Sequence, residues 1–177
     1  ISEAAAVKSQ VSIAKLEAYK KGLFQVQDES SMLPAIVLAP QPGDMVLDAC
    51  SAPGGKATHM AQLMCNQGKI IAWDIHEHKL KLVDDSAKRL GIDIIECELN
   101  DAGMPDEKYD RAFDRVLLDA PCMGLGIIRR KPDIKWVRKA EDIAQITVLQ
   151  ERLIQKVSSA VKPGGILVYS TCTVLPE

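Results

Sequence analysis

The stretch MVLDACSAPGGK at residues 45–56 decides the fold class of this chain. Its first four residues are an apolar run that ends at Asp48, as in a short buried strand. A loop rich in glycine and proline follows, and a helical pattern begins at Lys56. Glycines let the backbone approach a ligand closely, and the start of a helix offers free N–H groups to an anion. This order of strand, loop and helix indicates a nucleoside-binding α/β domain.

Strand and helix patterns alternate along the rest of the chain. Such alternation is typical of crossover units, which build a parallel sheet, and short continuous apolar runs favour a sheet with helices on both faces. We predict that Ser30 and Ser31 cap the second helix, with Pro34 in its first turn, and that residues 163–165 end the last helix. The predicted strands lie at residues 45–48, 69–73, 92–97, 115–118 and 166–169, and the predicted helices at 7–20, 32–39, 56–64, 77–90 and 143–161.

The composition is that of an ordinary globular protein, with 177 residues of which 47% are hydrophobic and 26% charged. This balance excludes collagen-like, mucin-like and disordered chains. No apolar run approaches the roughly 20 residues of a membrane span, and the first ten residues lack the apolar core of a signal peptide. Because the net charge is −2, any nucleic-acid binding has to come from a local basic patch.

The five cysteines are odd in number and form no C-x-x-C pair. This argues against a disulfide framework and a zinc knuckle, and it favours a reducing cytoplasm. His76 and His78 are a lone pair near a helix start, so we expect no metal site. We expect Cys65 to lie in the core, because its predicted helix has apolar neighbours.

The two ends of the chain suggest a piece of a larger protein. The chain starts at Ile1 and stops a few residues after an apolar strand. We therefore expect a helical lead-in at residues 1–39 that packs on one cofactor-binding domain at residues 40–177.

An acidic residue supports the nucleoside interpretation of the loop. Asp74 ends the second strand about twenty residues further on, where a carboxylate suits a ribose diol. The glycine spacing is neither that of a dinucleotide-binding loop nor that of an ATPase phosphate loop. The alternative is that Gly54 and Gly55 form only a tight turn and that Asp74 is only a helix cap.

Two cysteines follow predicted neighbouring strands. Cys122 comes after the fourth strand and Cys172 after the fifth. If these strands are adjacent, which places them about 5 Å apart, both thiols face one pocket beside the cofactor. A thiolate there would be a strong nucleophile. The alternative is that both are buried structural cysteines.

A basic stretch follows the Cys122 loop. Residues 129–139 carry six Lys or Arg and one Asp, and Trp136 lies among them. Basic side chains contact phosphates and an aromatic ring can stack on a base, which favours an RNA-binding segment. The alternative is a solvated segment with Trp136 packed in the core. The candidate RNA contacts are Arg129, Arg130, Lys131, Lys135 and Trp136.

Together these motifs resemble the RNA 5-cytosine methyltransferases, most closely the ribosomal RNA small subunit methyltransferase B group. The similar segments run in the family's order over almost the whole chain. They are GLFQVQDESS at residues 22–31, CSAPGGK at 50–56, DAPCMGLG at 119–126, IRRKPDIKW at 128–136 and YSTCTVLPE at 169–177.

The resemblance implies a Rossmann-like S-adenosylmethionine-dependent methyltransferase fold whose C-terminal strands are missing from this chain. A full sheet would have seven strands, and five are predicted here. It further implies an enzyme that acts on ribosomal RNA. We expect the protein to be monomeric and cytoplasmic and to have no contact with membranes. The implied cofactor-binding residues are Cys50, Ser51, Ala52, Pro53, Gly54, Gly55, Lys56, Asp74, Asp101 and Asp119.

The resemblance also implies roles for the two cysteines. Cys172 would be the nucleophile that attacks carbon 6 of cytosine, which makes carbon 5 able to accept a methyl group. Cys122 would assist release of the product, and Asp119 would lie where cofactor and base meet. If Asp119 were protonated or hydrogen-bonded toward N3 of the base, it could stabilise charge on the ring, which requires a raised pKa.

Three other functions fit parts of the sequence. A DNA 5-cytosine methyltransferase would use the Pro-Cys cysteine as nucleophile, but its Glu-Asn-Val segment is absent after the Cys122 loop. A non-catalytic module that binds S-adenosylmethionine and RNA would have no use for both cysteines. A nicotinamide dehydrogenase would need the glycine fingerprint that is missing here.

Overall fold

The computed structural model describes residues 4–7 and 11–174, which fold around one five-stranded parallel sheet. The strand order is β3-β2-β1-β4-β5, and every neighbouring pair is parallel. The predicted parallel sheet is therefore confirmed. The strands are β1 (Met45–Asp48), β2 (Lys69–Asp74), β3 (Ile95–Leu99), β4 (Phe113–Asp119) and β5 (Val161–Ser170).

Helices cover both faces of the sheet, as predicted. Of the longer helices, α2, α3 and α4 lie on one face and α6 lies on the other. Among the described residues, no helix is both long and apolar enough to cross a membrane. The helices are α1 (Glu17–Lys20), α2 (Glu29–Leu38), α3 (Gly55–Leu63), α4 (Glu77–Leu90), α5 (Ile134–Val137) and α6 (Glu141–Ser158).

The alternation of side chains along the central strands divides the core in two. Leu47 of β1 faces α6 and packs in one cluster with Leu153 and Val157. The preceding residue, Val46, faces the other way and packs with Leu38 of α2 and Met60 of α3. Because successive residues of a strand point to opposite faces, a strand covered on both sides has to be apolar throughout.

The order in which the strands are added to the sheet reverses between β1 and β4. From β1 the chain proceeds through β2 to β3 at one edge, whereas β4 and β5 lie on the other side of β1. In open α/β sheets this switch point leaves a crevice beyond the carboxyl ends of the strands. The loops that begin after Asp48 and Asp119 flank this crevice.

The N-terminal helices differ from the prediction. Of the helix predicted at residues 7–20, the described part contains only a 3-10 turn at Ile13–Lys15 and the single turn of α1, while residues 8–10 lie outside the described residues. Neither turn buries a residue, so no apolar packing supports a longer helix. Helix α2 begins at Glu29, which places Pro34 in its interior. The division of the chain at residue 39 stays a prediction.

The last strand is longer than predicted. Residues 163–165 do not end α6, which stops at Ser158, but lie within β5. Phe113 of β4 pairs with Val161, and Arg115 pairs with Ile166, so the strand bulges between these two pairs. A Cβ on Gly165 would lie 2.9 Å from the carbonyl oxygen of Asp114, which explains the glycine at this bulge.

Candidate active site

The loop between β1 and α3 is bonded to the neighbouring strand. The amide of Ser51 donates to the carbonyl of Trp73 at 2.8 Å, and the amide of Gly54 donates to the carbonyl of Ser51 at 2.8 Å. Gly54 has a φ of +99°, and a Cβ there would lie 2.9 Å from the Cα of Val83. Only glycine fits such a backbone at this distance. The loop therefore presents its backbone and the start of α3 to the crevice.

This loop forms one wall of a cavity of about 200 Å³ beyond β1. Asp48 and Asp119, at the ends of β1 and β4, also line it. The structure thus brings together most of the residues predicted for the cofactor. The loop residues in the lining are Cys50, Ser51, Ala52, Pro53, Gly55 and Lys56.

Asp48 is a buried carboxyl group at the base of the cavity. Its side chain is 1% exposed. Burial raises the pKa of Asp48 to about 7, and the hydroxyl of Ser51 opposes this rise. Burial, together with the nearby carboxylates, also raises the pKa of the Cys50 thiol to about 12. Cys50 is therefore not a nucleophile at neutral pH.

Asp119 is held by two donors. The ammonium of Lys56 lies 2.6 Å from Oδ2 of Asp119, and the hydroxyl of Ser170 donates to Oδ1 at 2.7 Å. Both carboxylate oxygens therefore accept a hydrogen bond. The two donors hold the Asp119 side chain in one orientation at the edge of the cavity.

The two predicted catalytic cysteines face each other beyond β4 and β5. These strands are neighbours, with Asp119 paired to Ser170, so the condition for a shared pocket is met. The sulfur atoms of Cys122 and Cys172 lie 3.1 Å apart, and the amide of Cys172 lies 3.3 Å from the Cys122 sulfur. The amide of Gly126 also donates to the Cys172 carbonyl at 2.9 Å. The alternative that both are buried structural cysteines is wrong, because Cys172 is exposed and Cys122 only half-buried.

The pair shares one proton unequally. A hydrogen bond from the Cys172 thiol and further bonds from the backbone amides of Cys172 and Gly124 lower the pKa of Cys122 to about 6, although burial opposes this. The pKa of Cys172 rises far above its ordinary value, first because its thiol donates to Cys122 and then because of burial. At neutral pH the pair therefore holds one proton and one negative charge, and these interactions favour the charge on Cys122.

The other two predicted cofactor carboxylates lie outside the cavity lining. Asp74 ends β2, and its Oδ1 accepts a hydrogen bond from the amide of His76 at 2.9 Å, in front of α4. Asp101 follows β3, its Oδ1 accepts from the amide of Gly103 at 2.8 Å, and Arg152 lies 3.7 Å from its other oxygen. Each carboxylate thus supports its own loop at the carboxyl end of the sheet, and a role toward ribose or adenine stays a prediction.

The basic segment is a solvated surface beside the cysteine loop. Trp136 is 81% exposed, so the alternative that it packs in the core is wrong. The ammonium of Lys135 lies 5.0 Å from the centre of the Trp136 ring. Arg129 and Lys131 are exposed, whereas Arg130 forms an ion pair with Asp28 of the lead-in. Among the described residues, three of the four candidate cations therefore form no ion pair, and Arg130 is the exception.

One wall of the cavity is not predicted from the sequence. Gln25, Val26, Gln27 and Ser31 line it from the lead-in. Their segment, residues 22–31, was noted only as part of a resemblance. The available signal is a pair of glutamines, Gln25 and Gln27, in an otherwise apolar stretch before α2. Packing alone does not require amide side chains at these positions.

One further expectation about the cysteines is wrong. Cys65 is exposed, because α3 ends at Leu63 and Cys65 turns away with a φ of +53°. Among the described residues, no group of His, Cys, Asp and Glu has the arrangement of a metal site.

Comparison with known proteins agrees with this geometry. The family model of the 16S rRNA methyltransferases RsmB/F matches residues 35–177. "Probable ribosomal RNA small subunit methyltransferase B" of Bacillus subtilis is 47% identical over 92% of this chain, and ribosomal RNA small subunit methyltransferase B of Salmonella newport is 42% identical over 99%. The chain spans 36% and 41% of these two proteins.

Solved structures show the same fold. PH0851 is 39% identical, with a TM-score of 0.91 over 94% of this chain and 38% of its own. NSun6 from Pyrococcus horikoshii, solved with SFG, is 38% identical, with a TM-score of 0.85 over 93% of this chain and 42% of its own. A SAM-dependent O-methyltransferase from Thermotoga maritima, at 18% identity and a TM-score of 0.58, covers 82% of this chain and shares the fold alone.

The family resemblance inferred from the motifs is therefore confirmed, as is the S-adenosylmethionine-dependent methyltransferase fold. The glycine loop, the cysteine pair and the basic segment all lie within the matched residues. This chain belongs to the RsmB/F family of 16S rRNA methyltransferases.

Proposed function

We propose that this chain carries the catalytic centre that transfers a methyl group from S-adenosylmethionine to carbon 5 of a cytosine in small-subunit ribosomal RNA. The reaction proceeds through a covalent bond between Cys172 and the base. One observation carries the proposal. The sulfur atoms of Cys122 and Cys172 lie 3.1 Å apart at the ends of two adjacent strands, beside the cavity that the glycine loop lines.

The residues around the cavity fit the cofactor. Gly54 lets the loop approach closely, and the start of α3 supplies free amide groups. Asp74 and Asp101 lie at the carboxyl ends of the next two strands, at the places proposed for the ribose and the adenine region. S-adenosylmethionine, when bound, supplies an electrophilic methyl group.

The cysteine pair generates the nucleophile by moving one proton. In the resting pair the proton is on Cys172, and Cys122 is the thiolate. Transfer of that proton across the 3.1 Å hydrogen bond leaves a thiolate on Cys172. This thiolate attacks carbon 6, the carbon–sulfur bond forms, and the electron pair of the ring double bond moves to carbon 5. Carbon 5 then takes the methyl group, the bond between that methyl group and the cofactor sulfur breaks, and S-adenosylhomocysteine would be the leaving group.

The same proton serves the release of the product. Loss of the carbon 5 proton to solvent restores the ring double bond and breaks the bond between carbon 6 and Cys172. The protonated Cys122 returns its proton to the departing thiolate of Cys172. The pair is then in its starting state, and the net loss is the single proton from carbon 5. Cys122 thus assists release as an acid, after it has assisted attack as a base.

Asp119 orients the target base. Its carboxylate lies between the glycine loop and β5, held by Lys56 and Ser170. A carboxylate in this position accepts a hydrogen bond from the amino group of cytosine, a group that uracil lacks. The base has to leave its stack to reach this site, and the exposed Trp136 and the cations around it contact the neighbouring RNA.

A mechanism-based trap tests the proposal. The chain is incubated with S-adenosylmethionine and small-subunit ribosomal RNA that contains 5-fluorocytidine, which has no carbon 5 proton to lose. We expect a covalent adduct that peptide mapping places on Cys172 and that Cys172→Ala abolishes. An adduct on Cys122 would reverse the roles of the two cysteines and favour the DNA-type order.

The trap also separates enzyme from binding module. A version extended at both ends serves as the control, because this chain spans about two fifths of its relatives. An adduct from the extended version alone would mean that other segments are required. No adduct from either version would overturn the catalytic proposal and favour a module that only binds RNA and cofactor.

A further inference from the structure

We infer that Gln25 and Gln27 recognise the amino-acid end of S-adenosylmethionine and that Arg89 is the positioning residue that orients this wall. The inference rests on the proposed function, because it assigns the cavity to part of that cofactor. It extends the site from the glycine loop to the lead-in.

The cavity has room for only part of the cofactor. Its volume is about 200 Å³, whereas pockets that enclose a whole small ligand measure roughly 300–1,000 Å³. Asp74 and Asp101, proposed for the ribose and the adenine region, do not line it, and neither do the two catalytic cysteines. The part of the ligand that remains lies beyond the ribose: the sulfonium with its methyl group, near Asp119, and the amino-acid end, which carries an ammonium and a carboxylate.

Hydrogen bonds determine how the two amides are oriented. Arg89 is an obligate donor, and one of its nitrogens bonds to Oε1 of Gln25. The Gln25 amino group therefore remains as a donor on the wall that lines the cavity. Gln27 is oriented the other way, because its amino group donates to the carbonyl of Ser31 at 2.9 Å. Its oxygen remains as an acceptor.

The remaining groups match a zwitterion. The free amino group of Gln25 suits the carboxylate, and the free oxygen of Gln27 suits the ammonium. Gln27 also lies directly over the start of α3, since a Cβ on Gly55 would be 3.9 Å from its Nε2. The wall that carries the two glutamines therefore lies next to the glycine loop.

Arg89 holds this wall in place from α4. Its guanidinium donates to the carbonyls of Tyr19 and Phe24, both at 3.0 Å, and it stacks 3.9 Å from the centre of the Tyr19 ring. The chain bends tightly around it at Gly22, where a Cβ would lie 1.8 Å from the Arg89 carbonyl oxygen. The Arg89 side chain therefore links the segment that carries Gln25 to α4.

Paired ligands test the inference. S-adenosylhomocysteine contains the amino-acid end, and 5′-methylthioadenosine lacks it. We expect Gln25→Ala and Gln27→Ala each to weaken binding of S-adenosylhomocysteine by about tenfold, as loss of a hydrogen bond to a charged group does, and to change binding of 5′-methylthioadenosine less than about twofold. Calorimetry on the purified chain measures both affinities, and Gln145→Ala on the exposed face of α6 is the matched control.

Arg89 should behave as a positioning residue. We expect Arg89→Ala to show the same selective loss, and Arg89→Lys to recover part of it, because lysine keeps the charge without the two-pronged geometry. Lys88→Ala, next to it on α4, should change neither affinity. Equal losses for both ligands would show a merely structural role and overturn the inference, as would an unchanged affinity for S-adenosylhomocysteine.

The result separates this inference from the proposed function. If the wild-type chain binds both ligands and the glutamine variants do not discriminate between them, only the assignment of the amides is wrong. If neither the wild-type chain nor a version extended at both ends binds either ligand, the proposed function fails and the inference falls with it.

Discussion

Lys56 and Asp119 join the glycine loop to the strand that leads into the Cys122 loop. The Lys56 ammonium lies 2.6 Å from the Asp119 carboxylate, and both side chains are mostly buried, at 18% and 30% exposure. The pair spans the switch point of the sheet, between the ends of β1 and β4. It therefore couples the wall of the cofactor cavity to the place proposed for the target base.

Breaking this pair should reduce turnover more than stability. We expect Lys56→Met to lower kcat by about 10- to 100-fold, because Asp119 loses the cation that orients it. The same assay on Lys69→Met provides the control, since Lys69 forms an exposed pair with Glu96 at the far end of β2. Equal activity in the two variants would show that the Lys56 pair has no catalytic role.

The cysteine pair predicts a defined pH dependence. The Cys122 pKa of about 6 means that the pair carries its negative charge above pH 6 and loses it as the pH falls through 6. We therefore expect the rate of adduct formation with 5-fluorocytidine RNA to fall below pH 6. In Cys122→Ala the midpoint should move up toward the ordinary thiol value of about 8.5. A midpoint that does not move would mean that Cys122 does not accept the Cys172 proton.

Asp48 should make the protein less stable as the pH rises. Its folded-state pKa of about 7 lies above the ordinary value of 3.8, so its contribution is complete below pH 3.8 and is lost as the pH rises through 7. By linkage the loss is about 4 kcal/mol at most. We expect the stability gap between Asp48→Asn and the wild type to shift in favour of the variant from pH 5 to pH 8. Urea unfolding at both values measures it, and a constant gap would contradict the raised pKa.

Alanine substitutions at Gly54 and Gly43 distinguish the energetic cost of backbone strain from the cost of a close contact. Both have a positive φ, but a Cβ on Gly54 would meet the backbone of Val83 at 2.9 Å, whereas nothing lies within 4 Å of one on Gly43. We expect Gly43→Ala to cost about 1 kcal/mol of folding free energy and Gly54→Ala clearly more. Gly54→Ala should also weaken cofactor binding. Similar unfolding midpoints for the two variants would show that the loop can shift away from α4.

Trp136 should contribute to RNA binding without affecting the fold. The side chain is 81% exposed, so Trp136→Ala should leave the unfolding midpoint unchanged. Loss of base stacking, worth about 1–3 kcal/mol, should weaken RNA binding by roughly 5- to 150-fold. A filter-binding assay measures the RNA affinity, and Val137→Ala, at the adjacent exposed position, is the control. An affinity equal to that of the control would remove Trp136 from the RNA surface.

The order of strands and helices in the central domain could be predicted from the sequence. The bounds of β1 and α4 agree with the prediction, because the apolar run ends at Asp48 and the apolar face of the helix ends at Gly91. Local patterns suffice there, since each element buries a face that its own spacing defines. The two loops that carry Cys122 and Cys172 could also be placed, because parallel strands end at one edge.

Contacts between residues that are far apart in sequence became known only from the tertiary structure. Spacing along the chain does not show that Arg89 bonds to Gln25, or that the sulfur atoms of Cys122 and Cys172 meet, because these contacts join segments 64 and 50 residues apart. The same holds for Trp136, whose exposure depends on what packs around it. The pattern of apolar residues along a chain indicates which face of a helix or strand is buried. A functional site, in contrast, is formed by strand ends and loops that pack against one another. The pKa values of the groups in the site follow from that packing.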